Sequence, residues 1–285
     1  MNEARYSRFT TPAWLKSHLY EFNLIEEIPQ SLIDSLKNKL SKFHSEEPEV
    51  SVVMPVWNEG MNLFKTLSTF AEQQTSKKVE LLIVNNNSTD NTQQIIDLLG
   101  VKNIFVEEQG ISNARQAGLD TSKGLYILNA DGDSFYPPKW IETMSDKLGK
   151  DGLVLNYGRH SFIPPEGSSR FVLGCYEILA ETVFNVRNRN RQYLNVLGFN
   201  FAFLKSAALQ VGGFNTARKK WSDGWMAMSL MDIGKISLIR SYEARVWTSP
   251  RRLMADGSLA KAFRRRAKKE LSNLYEYIFK TPIKK

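Results

Sequence analysis

A chain of 285 residues, 42% hydrophobic and 24% charged, has ordinary globular composition, which excludes a collagenous, low-complexity or wholly disordered protein. Its single cysteine, Cys175, cannot form an intrachain disulfide, so the fold rests on a core rather than on staples and a reducing, cytoplasmic setting is expected. The formal charge of +8 is uneven, with nine Lys or Arg against two Glu in residues 258–285 but six basic against eight acidic residues in 1–49; basicity of this kind belongs to a tail and is no sign of a body that grips nucleic acid.

Residues 1–9 carry Glu3, Arg5 and Arg8 with no apolar run behind them, unlike a secretory signal, and the mature chain is expected to start here. Across residues 12–44, Leu32, Ile33, Leu36, Leu40 and Phe43 recur at three- and four-residue spacing, which predicts an amphipathic helical arm that ends before Pro48. From Val50 the pattern changes. Residues 50–54, 79–84, 103–106 and 125–130 read as short buried strands, alternating with helices over 61–74, 92–99 and 111–120. That alternation predicts an α/β fold with a mainly parallel sheet covered by helices on both faces and with ligands at the strands' carboxyl ends, just after Met54, Val84 and Ala130.

Beyond residue 150 the expected elements are a helix over 170–189, a strand over 199–204, a turn at Gly212-Gly213 and a helix over 223–233. The longest apolar stretches, 171–184 and 196–211, are interrupted by Glu177, Glu181 and Lys205 and fall short of the ~18–20 residues of a membrane span. At the end, Leu259, Phe263, Ala267, Leu271, Leu274 and Ile278 alternate with Arg264–Arg266 and Lys268-Lys269. A basic amphipathic helix of this kind either lies on anionic lipid through residues 258–280 or packs on the domain with a solvated basic face.

The sharpest local feature is Asn129-Ala130-Asp131-Gly132-Asp133, directly after an apolar strand. Two carboxylates spaced by glycine suit a Mg²⁺ or Mn²⁺ ion shared with substrate phosphates; the plainer reading is a solvated Asp-Gly turn. Before it, the first strand runs into Pro55-Val56-Trp57-Asn58-Glu59, where Trp57 is placed to flank a nucleotide base. The second strand ends in Asn85-Asn86-Asn87, whose amides can read base edges, while Thr89 or Asp90 caps the next helix.

This ordered set resembles family-2 nucleotide-sugar glycosyltransferases of the GT-A fold, from about residue 50 to 252. The resemblance is carried by Pro55 to Glu59, Asn86 to Thr92, Gln109 to Arg115, Lys123-Gly124, Asp131-Gly132-Asp133, Gly212-Gly213-Phe214 and Ser222-Asp223. It implies a GT-A domain over 49–257, with a nucleotide-binding half (49–135) and an acceptor half (136–257), between a helical arm (1–48) and a basic amphipathic helix (258–285). It also implies an inverting transfer of sugar from a nucleoside-diphosphate donor to an acceptor hydroxyl; if the basic helix lies on lipid, a glycan or lipid-linked acceptor at the inner face of the cell membrane is expected. On this resemblance Asp133 binds Mn²⁺ or Mg²⁺ and Asp131 shares the metal or contacts ribose. Pro55, Val56, Trp57, Asn58, Glu59, Asn85, Asn86, Arg115 and Gly132 line the nucleotide sugar, and Asp223 is the base.

The chain departs from the family twice: Ser222 stands where a glutamate is usual, and Asn85 to Asn87 where an aspartate is usual, which leaves the donor base open. Arg251 and Arg252 follow the last apolar strand and are placed to meet the diphosphate, since a planar guanidinium matches phosphate oxygens; they also read as the first basic turn of the tail. Trp221, Trp225 and Trp247 are candidates for stacking on sugar, Trp247 more simply as core, and His160 reads as a loop residue with a structural role. A sugar-1-phosphate nucleotidyltransferase would want a Gly-rich first loop with a basic residue, which is not what Pro55 to Glu59 provide; a catalytically silent sugar-nucleotide binder or membrane partner is the alternative from another class. No nucleic-acid partner is expected.

Overall fold

The computed structural model describes residues 8–165, 169–250 and, between 261 and 277, residues 261, 263–265, 268–270, 272, 273 and 277. In chain order the elements are α1 (Ala13–Lys16), α2 (Gln30–Leu40), β1 (Val50–Val56), α3 (Met61–Ala71), β2 (Val79–Asn85), α4 (Thr92–Leu99), β3 (Asn103–Phe105), α5 (Ile111–Thr121), β4 (Tyr126–Asn129), β5 (Ser134–Phe135) and α6 (Trp140–Ser145). There follow β6 (Leu153–Tyr157), β7 (His160–Phe162), α7 (Arg170–Asn190), β8 (Phe201–Leu204), α8 (Lys205–Gln210), α9 (Ser222–Met231), β9 (Lys235–Leu238) and β10 (Val246–Thr248).

Seven strands form one sheet in the order β3-β2-β1-β4-β8-β6-β9, and β5-β10-β7 form a second, small one. In the large sheet only β8 runs against its neighbours, so the sheet is mixed but mainly parallel. The fold is α/β of the GT-A type. β1 is buried along its whole length, because helices cover both faces: Val50, Val52, Met54 and Val56 enter one core with α2, α3 and α4, while Val53 enters the other with α5 and α9. A strand covered twice reads as an unbroken apolar run, which is why β1 and β2 stand out in the sequence.

The sheet order reverses between β1 and β4, since β2 and β3 lie on one side of β1 and β4 on the other. Connections to left and right part at that point, and the crevice they leave is where open α/β sheets bind ligands. Pro55 sharpens the parting. Val53 accepts from the Ala130 N–H on the β4 side, and Pro55, two residues on and facing the same way, has no N–H to extend the ladder.

The amphipathic stretch over 12–44 is two helices rather than one, with Pro12 and Pro29 at their starts. The apolar face of α2 is not appended at a distance: Ile33, Leu36 and Leu40 sit in the same core as β1 and α3. β5, β6, β7 and β9 are two to five residues long and had no sequence signal of their own. His160 lies in β7, not in a loop, edge-on to Phe162 and Phe199. Among the described residues, no helix is long and apolar enough to cross a membrane.

Candidate active site

Two loops at the carboxyl ends of β1 and β2 are knitted together by side chains. The N–H groups of Glu59 and Gly60 both donate to Thr92 Oγ1 at 2.9 Å, the Asn58 N–H donates to Ser88 Oγ, and Asn58 Oδ1 accepts from the Thr89 N–H at 2.8 Å. Asn58 and Asn87 adopt left-handed backbone conformations with φ of 53° and 61°, which asparagine tolerates better than bulkier residues. Asp90 Oδ1 accepts from the Thr92 N–H at the start of α4. Trp57 stands 55% exposed at the tip of the first loop.

Asn85 and Asn86 are buried, and their amides are taken up by the protein. Asn85 donates to Gln93 and accepts from the Ser88 N–H; Asn86 donates to the carbonyls of Val106 and Glu108 and accepts from the Gly110 N–H at 2.7 Å. In this arrangement they hold the loops after β2 and β3 in place, and their amides are engaged within the protein.

The 131–133 loop lies against the first loop. A Cβ on Gly132 would come within 2.8 Å of Val56 Cγ1 and 3.3 Å of Glu59 Cγ, so only glycine lets Asp131 and Asp133 approach that loop. Thr66 of α3 donates to the Gly132 carbonyl at 2.9 Å, and the Asp131 N–H donates to the Tyr136 hydroxyl at 2.8 Å. Tyr136 is wholly buried and donates on to the Phe199 carbonyl; burial, with the Asp131 charge beside it, pushes its phenol well above the ordinary range. Asn129, last in β4, is buried with neither amide atom partnered among the described residues. A buried orphan of this kind at a crevice marks a polar demand the protein itself leaves unmet.

Arg115 joins the halves. Its guanidinium, 5% exposed, donates to Ser222 Oγ at 2.7 Å and lies 3.8 Å from Asp131 Oδ1. Gly198 is the close neighbour that makes room for it, since any Cβ there would overlap the guanidinium. One side chain on α5 thus ties the loop after β4 to the first residue of α9. Asp223 follows in the first turn of that helix, with Oδ1 accepting from the Gly224 N–H. Trp221, which precedes the helix, is left-handed (φ 62°) and folds its indole over Gly224. The Arg218 guanidinium lies 3.8 Å over the Trp225 ring. The Gly212-Gly213-Phe214 turn docks on α5, where the Phe214 N–H donates to Gln116.

Hydrogen bonds and close approaches thus link the loops that carry Pro55 to Glu59, Asn85 and Asn86, Asp131, Gly132 and Asp133, and, through Arg115, Ser222 beside Asp223. Trp247 is a core residue, buried with Leu15 and Phe135; Arg251 and Arg252 lie outside the described residues. Sequence reading missed Tyr136, whose only signal was its place five residues after Asp131, and the Arg115–Ser222 contact, which spans 107 residues.

A sequence profile described as Glycosyl transferase family 2 matches residues 51–212, more than half of the chain. The chain belongs to this family. Glycosyltransferase AglE of Haloferax volcanii is 33% identical over 129 residues, which cover 43% of this chain and 42% of that one. The matched segments span half or less of the curated relatives compared first. Among solved structures, the mannosyltransferase PcManGT from Pyrobaculum calidifontis in complex with GDP-Man and Mn²⁺ aligns with a TM-score of 0.54 at 17% identity, covering 84% of this chain and 71% of that one. Glucosyl-3-phosphoglycerate synthase from Mycobacterium tuberculosis, in complex with Mn²⁺, UDP-Glc and phosphoglyceric acid, aligns with a TM-score of 0.54 at 15% identity, covering 90% and 86%. At such identities the likeness is one of fold.

Proposed function

We propose that this family-2 chain is a metal-dependent, inverting glycosyltransferase that moves one sugar per encounter from a nucleoside-diphosphate sugar to a hydroxyl of a glycan or lipid-linked acceptor. The observation that carries the reading is the buried Arg115 guanidinium between Asp131 and Ser222, which supports placing the donor's diphosphate end and the acceptor's base on either side of one rigid anchor. The Asp223 carboxylate takes the acceptor hydroxyl's proton as that oxygen attacks the anomeric carbon, opposite the departing diphosphate, so configuration inverts.

Asp131 and Asp133 suit a hard divalent cation: two carboxylates on one loop, pinned through Thr66 and Tyr136, would hold it together with oxygen ligands from outside the protein. When bound, Mn²⁺ or Mg²⁺ neutralises charge on the leaving diphosphate. The protein's part is to hold both carboxylates at the strand end, with Arg115 adding positive charge where negative charge develops. Trp57 offers an exposed ring for the base, and Asn129 an unmet amide for a polar group of the donor. The neighbours' GDP-Man and UDP-Glc support a sugar-nucleotide donor without choosing its base.

The test is thermal stability of the full chain with UDP-, GDP- and TDP-sugars, each with Mn²⁺, Mg²⁺ or chelator. At about a hundred times Kd a ligand that binds only the folded state adds about 2.7 kcal/mol. One donor class should raise Tm in a metal-dependent way, and Asp133→Ala should abolish the rise. No rise with any donor and either metal overturns the reading.

A further inference from the structure

Helix α7 carries two carboxylates, and both turn inward. Glu177 pairs with Arg170 at 2.7 Å and accepts from the Phe162 N–H, while Glu181 is shared by Arg8, Arg159 and Arg245 at 2.7–3.3 Å. The opposite face holds Phe171, Val172, Ile178 and Leu179, exposed by 60, 49, 41 and 71%, two adjacent pairs seven residues apart, which share one side of a helix. Phe9 stacks on Phe171 at 5.1 Å and extends the stripe. The outward side of α7 is therefore large, apolar and without negative charge.

The helical residues between 261 and 277 settle beside it. Phe263 stacks flat on Tyr176 of α7, with centroids 3.9 Å apart, and Glu270 and Tyr277 both meet Arg187. These three positions recur every seven residues, so one seam of the C-terminal helix is used in packing along α7. Lys261, Arg264, Arg265, Lys268 and Lys269 remain exposed. The alternative between packing on the domain and facing lipid is thus not exclusive: packing through Phe263, Glu270 and Tyr277 sets the basic residues alongside α7 and leaves them exposed.

We propose that the outward face of α7 and the basic side of the C-terminal helix together form one docking surface for an anionic lipid bilayer. Charge complementarity selects lipid as the occupant. A shallow row of bulky apolar side chains bordered by successive Lys and Arg, with the helix's own carboxylates withdrawn, matches an acyl boundary beneath anionic headgroups. The proposal is independent of the transfer chemistry, as no residue of the crevice takes part.

Vesicle flotation of the full chain tests it, using phosphatidylcholine alone and phosphatidylcholine mixed with phosphatidylglycerol, at low and high salt. The wild type should float only with the mixed vesicles and less at high salt. Leu179→Asp should lower the bound fraction about tenfold or more, with Tm unchanged because Leu179 is exposed. Lys268→Gln and Lys269→Gln should each lower it about fivefold. A wild type that stays behind with both vesicles overturns the proposal. So does flotation of Leu179→Asp equal to the wild type, which would leave the basic helix as sole contact. So does a wild-type dimer, indifferent to vesicles, that Leu179→Asp dissociates, since the stripe would then join two copies.

Discussion

Arg115 is a structural anchor, and on the proposed function a chemical one as well. It is buried, it contributes a hydrogen bond to Ser222, and it is the near cation for Asp131. Replacement by methionine keeps the volume but leaves Asp131 without that charge, so Arg115→Met should cost about 1.5–3 kcal/mol, read by urea denaturation, and should weaken metal-dependent donor binding. The Ser222 departure fits here: a carboxylate at that position would compete with Asp131 for the same guanidinium. Asp223 is different, because among the described residues its carboxylate accepts from the next backbone N–H. Asp223→Asn should leave Tm and the donor-induced shift near wild type while lowering kcat about 10²–10⁴-fold, read by donor turnover with acceptor; equal loss of donor binding would remove it from the role of base.

Among the elements, α5 is the one that most constrains the site, since it carries Arg115 and Gln116 and packs on β1 and β2. Its contact is close because residue 118 is glycine: a Cβ there would overlap Val53 Cγ1 and come within 3.2 Å of Val84 Cγ2. Gly118→Ala should therefore push α5 off the sheet, destabilise by about 1–3 kcal/mol and shift Arg115, so that activity falls by more than the stability loss explains. Matching denaturation curves for wild type and variant would refute this. The helix starts and the strands β1, β2 and β4 were legible because amphipathic period and doubly buried runs are local properties. The short strands β5, β7 and β9 were not, because two to four residues paired across the chain carry no period.

In the molecule as a whole, the N-terminal arm is held to the body through His18, buried against α3 with its Nδ1 2.8 Å from Ser68 Oγ. Burial holds its imidazole below the ordinary range, helped by Lys39 and opposed by Glu72. The folded chain thus keeps His18 neutral, and the unfolded chain protonates it first. Stability from this group is full above about pH 6.5 and declines as pH falls below that value. Tm should drop between about pH 7.5 and 5.5, and His18→Gln should flatten that slope; an unchanged slope would place the titration elsewhere.

The amino-acid order alone determined the alternation of strand and helix, the places where β1, β2 and β4 end to within two residues, and the candidate carboxylates Asp131, Asp133 and Asp223, because period, turn chemistry and the glycine between two aspartates are written within a few residues. Tertiary structure alone decided that the amides of Asn85 and Asn86 are engaged within the protein, that Tyr136 and Arg115 anchor Asp131, and that the basic helix packs along α7. The partners in these contacts stand from a few residues away, as in Asp131–Tyr136, to 107, as in Arg115–Ser222, and none of the pairings follows a local period. Which hydrogen bond an amide makes, and which face of a helix is covered, is settled only when the sheet brings those partners within a few ångströms.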